Sequence, residues 1–250
     1  MKSLIRNIFL SGIISATFLG INACEKDLNE SNLYAEVLAV STDGTSSLID
    51  ANLMSAMVET TPPDENEVAI LKSIREEEKL ARDVYNALYN KWGSQVFSRI
   101  AGAENNHLNA VNYLLITYGD SDTLVGEPGV FTSPDIQSLY NELVTKGSAS
   151  LSEAFTTGAL IEEMDIYDIT KTLTEVTNEN ILMVFENLTR GSRNHLRAFS
   201  RQLSNLGLVY TPVYITAEEY SIILNTSTEK GKQYRMRGNG RFQPSGTCVQ

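Results

Sequence analysis

Two histidines occur in 250 residues, and each stands where a metal ligand would. His107 closes the segment Ala103-Glu104-Asn105-Asn106-His107, three residues after Glu104. On a helix that spacing puts a carboxylate and an imidazole on one face about a turn apart, within reach of one ion or of two adjacent ions. Alone, Glu-x-x-His is a weak pattern, because helix surfaces are rich in glutamate and such pairs are mostly solvated or salt-bridged. His195 and Glu78 shift that balance, since both also fall in apolar seams. Burying two imidazoles with two carboxylates is costly unless a cation compensates. A hydrogen-bonded network without metal is the rival reading, and such networks are seldom so rich in carboxylate. Mixed carboxylate and imidazole donors suit iron, manganese or zinc.

Four long amphipathic segments must carry these residues, at about 66–91, 95–117, 151–174 and 178–206. Steps of three and four run through Leu71, Ile74, Glu78, Ala81, Tyr85 and Leu88 in the first segment. The second gives Phe97, Ile100, Glu104, His107, Val111 and Leu114, and the fourth Ile181, Phe185, Leu188, Ser192, His195 and Phe199. Glu76 and Glu77 fall off the first stripe and read as solvated charges near a helix start. Tyr85 reads as core packing ahead of any contact to a ligand. In the third segment, Phe155, Gly158, Glu162, Asp165 and Ile169 put two carboxylates inward, whereas the phase through Ala159, Glu163, Ile166 and Leu173 puts in one. Glu162 and Asp165 are therefore the expected ligands, with Glu163 in reserve. The connection between the second and third segments holds Gly119, Gly126, Pro128, Gly129 and Pro134, then a short helix over 135–146. Ser150-Leu151-Ser152-Glu153 reads as a capping box opening the third long helix. Two short links around one long crossover describe an all-α bundle that is not simply up-and-down.

These residues resemble the ferritin-like superfamily, its rubrerythrin branch, and the family called DUF2202, over about 67–220. Glu78-Lys79-Leu80-Ala81-Arg82-Asp83-Val84-Tyr85 is similar to the first-helix motif of rubrerythrins, whose leading glutamate binds metal. Ala103 to His107 matches the second-helix motif, and Gly191-Ser192-Arg193-Asn194-His195-Leu196-Arg197 lies over the fourth. The resemblance implies a ferritin-like four-helix bundle with a long crossover between helices 2 and 3. It implies metal ligands at Glu78, Glu104, His107, Glu162, Asp165 and His195. Ser192 stands where the family has a glutamate, which depletes the second half-site, so a single ion or an asymmetric pair is expected. The implied activity is iron- or manganese-dependent redox chemistry, as a ferroxidase or in peroxide or oxygen detoxification. A non-catalytic extracytoplasmic module that binds or senses metal is the alternative. No Cys-x-x-Cys pair of the rubredoxin type occurs, so an electron supply of the rubrerythrin kind is missing from this chain.

Lys2 and Arg6 precede an apolar run from Ile8 to Ile21, shorter than the roughly 17–25 residues of a membrane span. Cys24 follows Ile21-Asn22-Ala23, and the stretch resembles a lipoprotein signal. Residues 1–23 read as the signal peptide, Cys24 as the lipidated residue, 24–65 as a flexible tether with room for one short helix, 66–225 as the bundle domain and 226–250 as a flexible tail. Export, with a lipid anchor facing the periplasm or the cell surface, is the expected location. Of 20 basic and 31 acidic residues the signal removes two basic ones, leaving 18 against 31 and a net charge of −13. That balance disfavours nucleic acid and anionic membranes. Expected partners are metal ions and the membrane through the anchor, and the arrangement is compatible with a homodimer. Cys248 has no neighbouring base and reads as a stray thiol.

Overall fold

The computed structural model describes residues 37–41, 45–48, 50–58, 60–120, 126–229, 234–237 and 241–244. The signal peptide, Cys24 and Cys248 lie outside the described residues. In chain order the elements are strands β1 (Leu38–Val40) and β2 (Ser46–Leu48), then helices α1 (Asp50–Ala56), α2 (Glu65–Trp92), α3 (Gln95–Thr117), α4 (Pro134–Gly147), α5 (Leu151–Thr172), α6 (Glu179–Asn205) and α7 (Ala217–Asn225). Strands β3 (Tyr234–Arg237) and β4 (Arg241–Pro244) follow. Helix dominates, in keeping with the all-α expectation, and strand is confined to the antiparallel pairs β1–β2 and β3–β4 among the described residues. Among the same residues no helix is long and apolar enough to cross a membrane.

Local chemistry sets the helix ends. Asp64 Oδ1 accepts the Glu67 N–H at 2.8 Å and Glu67 Oε2 accepts the Asp64 N–H at 3.2 Å, a reciprocal cap on α2. The other oxygen of Glu67 accepts the N–H groups of Thr177 and Asn178, which ties the start of α2 to the start of α6. Gly93, at φ +66°, ends α2 in the left-handed region that a Cβ disfavours, and Ser94 alone separates it from α3. Ser150 caps α5 by accepting the Glu153 N–H at 3.1 Å. The return half of the expected box is missing, and Ser150 Oγ meets Ser152 Oγ at 2.9 Å instead.

The long helices pack as α2 along α3 and α5 along α6, and the two pairs close through α3–α6 and α2–α5 contacts. Helix α4 sits in the crossover against α2 and α5. The apolar interior is split in two. One cluster gathers Tyr85, Phe97, Phe155, Phe199 and their neighbours, with Phe97 stacked on Phe155 at 5.5 Å. The other gathers Leu71, Ile74, Val111, Leu114, Phe185 and Leu188. On each long helix the residues between the clusters are polar: Glu78, then Glu104 and His107, then Glu162 and Asp165, then Ser192 and His195.

Two stretches read as flexible are engaged with the bundle. Within 24–65, Val37, Leu38 and Leu53 are buried. Asn187 Oδ1 accepts the Val37 and Leu38 N–H groups, Arg190 Nη2 donates to the Leu38 carbonyl at 2.6 Å, and Asn106 Nδ2 donates to the Ser46 carbonyl. Strands of three residues are too short to show a period, and the groups that satisfy them lie some 60 to 150 residues away. At the other end, Glu229, placed in the tail by its polar surroundings, is fully buried. Its carboxylate meets Arg193 and Arg197, one turn apart on α6, at 2.5 and 2.6 Å. Burial opposes that charge, but the two guanidinium groups outweigh it and hold the carboxyl below its usual range.

Candidate metal centre

The polar layer between the two apolar clusters is built around Glu104. It and His107 project from the middle of α3, Glu78 from α2, Glu162 from α5 and His195 from α6. Glu104, His107, Glu162 and His195 are 0% exposed and Glu78 is 2% exposed. Glu104 faces both imidazoles, with Oε2 2.8 Å from His107 Nδ1 and Oε1 2.9 Å from His195 Nδ1. Glu78 Oε2 lies 3.2 Å from His107 Nδ1, and Glu162 Oε2 lies 3.2 Å from His195 Nδ1. The two rings are stacked, 5.4 Å between centroids and 17° between planes. Five side chains thus make two half-sites of three donors each, Glu78–Glu104–His107 and Glu104–Glu162–His195, and in each half all donor atoms lie within 4.8 Å of one another.

Neither oxygen of Glu104 takes part in an aligned hydrogen bond, although both are at contact distance from a nitrogen. Buried polar atoms are normally paired. Donor atoms crowded together with their lone pairs facing a common point are what coordination of a shared cation produces. Among these side chains a cation could be held; the electrostatics describe what stands in for it. Burial disfavours charge on His107, yet Glu104 and Glu78 outweigh burial and carry the imidazole up to about 9. His195 is raised likewise against burial, by Glu104 and Glu162. Burial also opposes charge on Glu104, but His195 and His107 hold it well below the usual carboxylate range. Burial lifts Glu78 to about 8, and burial with the Glu104 charge lifts Glu162 to about 7. Protons therefore occupy the layer at neutral pH.

Residues around the donors fix their positions. Tyr85, read as a packing residue, packs on Phe199 at 5.3 Å and also donates to Glu162 Oε1 at 2.6 Å. Gly191 has a role that the sequence reading missed. A Cβ built on it would lie 2.6 Å from His107 Nε2 and 2.7 Å from Cε1, so the bare α-carbon makes room for that ring. The available signal was a glycine in the interior of a long helix, which is unfavourable by about 1 kcal/mol relative to alanine and calls for a packing reason.

The remaining candidates separate. Asp165 is 7% exposed and buries Oδ2 without a partner, but it joins neither three-donor group. Ser192 Oγ donates back to the Leu188 carbonyl at 3.2 Å and adds no charge. Glu163 faces away from the centre, accepting from Tyr210 Oη and from the Val213, Tyr214 and Ile215 N–H groups. Glu77, taken as solvated, is half-buried and accepts from Ser73 Oγ at 3.1 Å. A cavity of about 550 Å³ beside α2, lined by Lys72, Arg75 and Phe131 among others, does not reach the five donors. Glu163→Gln is expected to lower stability by about 1–3 kcal/mol, through the loss of charge-assisted bonds to that loop, and to leave metal content unchanged. Urea unfolding read beside elemental analysis checks both halves; a loss of metal would return Glu163 to the ligand set.

Residues 67–227 match the profile of the family described as Uncharacterized protein domain (DUF2202). The chain is similar to Uncharacterized protein MJ0754 of Methanocaldococcus jannaschii, with 50% identity over 171 residues that cover 68% of this chain and 92% of the relative. The crystal structure of hypothetical protein MJ0754 from Methanococcus jannaschii DSM 2661 superimposes with a TM-score of 0.66 at 48% identity, covering 69% of this chain and 99% of that one.

Proposed function

The chain belongs to the DUF2202 family, and we propose that it is a metal-binding protein of ferritin-like build that uses iron or manganese for redox chemistry with dioxygen or peroxide. The observation that carries this reading is Glu104, a fully buried carboxylate whose two oxygens lie 2.8 and 2.9 Å from the Nδ1 atoms of two different imidazoles and which belongs to both three-donor groups. The donor set fits: oxygen and nitrogen ligands in two half-sites suit iron, manganese or zinc, of which the first two change oxidation state. Glu78, Glu104 and His107 would hold one ion, and Glu104, Glu162 and His195 a second. A bound ion of this kind would supply one-electron redox chemistry.

The chain's own residues supply the rest. Glu104 belongs to both half-sites, so its one negative charge would have to serve two ions. Three carboxylates would balance three of the four positive charges of a divalent pair, and Ser192 adds none; a second ion would therefore be held more weakly than a first. Tyr85 holds Glu162 in place. The two apolar clusters close the layer above and below and exclude bulk water, and full burial of four donors restricts access to molecules as small as dioxygen or peroxide. Export on a lipid anchor at Cys24 belongs to the same proposal and predicts loss of palmitate labelling in Cys24→Ser.

Ferrous iron added to the purified protein in air is expected to oxidise faster than in buffer and to develop a ferric charge-transfer band. Stoichiometric uptake without oxidation would sink the redox reading and leave a sequestering module. Metal binding is also expected to release protons. Ligation needs the unprotonated donors, and the metal-free layer keeps protons on His107 up to about 9, Glu78 up to about 8 and Glu162 up to about 7. Apparent affinity should rise as pH climbs from 6 toward 9, and titration calorimetry in buffers of different ionisation enthalpy counts the protons.

A further inference from the structure

We propose that Asp165, Glu77 and Asp168 form a staging site that draws a hydrated divalent cation from solvent into the centre between α2 and α5, an inference that rests on the metal-binding reading above. Glu162, Asp165 and Asp168 follow one another at three-residue steps on α5. Each step advances about 4.5 Å along the axis and turns by roughly 60°, so the row winds from the interior toward the surface. Exposure follows it: Glu162 is 0% exposed, Asp165 7%, and Asp168 half-buried. On α2, Glu77 directly precedes the candidate ligand Glu78 and is half-buried. Asp165 lies within electrostatic reach of Glu77, Glu78, Glu104 and Glu162, and Glu77 within reach of Asp168. Along α5 and the adjoining turn of α2, carboxyl groups thus run from half-buried positions to the buried donors.

The observation that points to a ligand is Asp165 Oδ2, buried without a partner beside these carboxyl groups. An unpaired buried carboxyl beside other carboxyl groups is costly to ionise, and a passing cation relieves that cost. The staging residues offer oxygen alone, with no imidazole. A transition-metal ion held there keeps part of its water and binds more weakly than at the imidazole-bearing half-sites. Such a gradient lets an ion enter and still move on, as multi-site conduction requires. Asp165 thereby differs from the other five predicted ligands: it hands the ion over.

Anaerobic stopped-flow loading with cobalt(II), followed by its visible absorption, tests this. Glu77→Gln/Asp168→Asn is expected to load about tenfold more slowly than wild type, the low end of electrostatic steering, with the same final absorption. The difference should shrink at high salt. Asp165→Asn should slow loading at least as much. A control of equal charge change, Glu142→Gln/Glu175→Gln at exposed sites, should load at the wild-type rate. Wild-type rates in the Glu77/Asp168 variant, or equal slowing in the control, would overturn the staging site while leaving the centre intact. Failure of the wild-type protein to take up cobalt at equilibrium would overturn the metal-binding reading itself, and this inference with it.

Discussion

Glu104→Ala is expected to empty both half-sites at once, whereas Glu78→Ala empties one. The asymmetry follows from geometry, since Glu104 alone touches both imidazoles, at 2.8 and 2.9 Å, while Glu78 and Glu162 each approach one. Loss of an outer-shell partner typically weakens metal binding by about 10–100-fold, and removal of a shared donor with its charge should exceed that range, dropping occupancy below detection in elemental analysis. The metal-free protein should suffer as well. Without the shared carboxylate, two buried imidazoles lose the charge that holds them protonated, and breaking a buried ionic cluster by removing one partner costs about 3–5 kcal/mol. Glu104→Gln separates the two effects, because it keeps the shape of the side chain and removes the charge. Retention of full occupancy in Glu104→Ala would refute the shared-donor arrangement.

Gly191→Ala carries the second large effect, and its sign runs against helix propensity. Alanine in place of an interior helical glycine ordinarily stabilises by about 1 kcal/mol. Here the added methyl would sit 2.6 Å from His107 Nε2, inside van der Waals contact. Overpacking of a filled interior typically costs about 1–3 kcal/mol, and the ring that must yield is a donor. The expected result is a destabilised protein that has lost the Glu78–Glu104–His107 half-site and keeps the other. A double-mutant cycle isolates the cause: in a His107→Ala background, where the ring is gone, Gly191→Ala should become neutral or stabilising. A stabilised single variant with normal metal content would refute the contact.

The long helices could be read from the sequence because each buries one stripe, and the polar residues interrupting the stripes named four of the five side chains that cluster in the layer, Glu78, Glu104, His107 and His195. Glu162 was harder, since α5 carries Glu162 and Glu163 side by side and both are buried. What separates them is the 210–215 segment that binds Glu163, and no periodicity within α5 encodes a partner some 50 residues away. The burial of Val37, Leu38 and Glu229 was not legible for a similar reason. Their anchors are Asn187, Arg190, Arg193 and Arg197 on the outer face of α6, residue types that in isolation signify solvent. Tyr85 fell between two readings because a phenol on an inward stripe satisfies both, packing with its ring and donating with its hydroxyl.

The division of the interior into two apolar clusters bears on how the molecule comes apart. The clusters share four helices, yet Glu78, Glu104, His107, Glu162 and His195 stand between them. Cooperativity across that layer depends on charge balance more than on packing. In the metal-free protein the central turns of α2, α3, α5 and α6 are expected to be the weakest joint, with amide protons exchanging through local openings well below the global unfolding energy. A bound ion would rivet the layer, and metal loading is expected to sharpen the calorimetric transition and raise its midpoint.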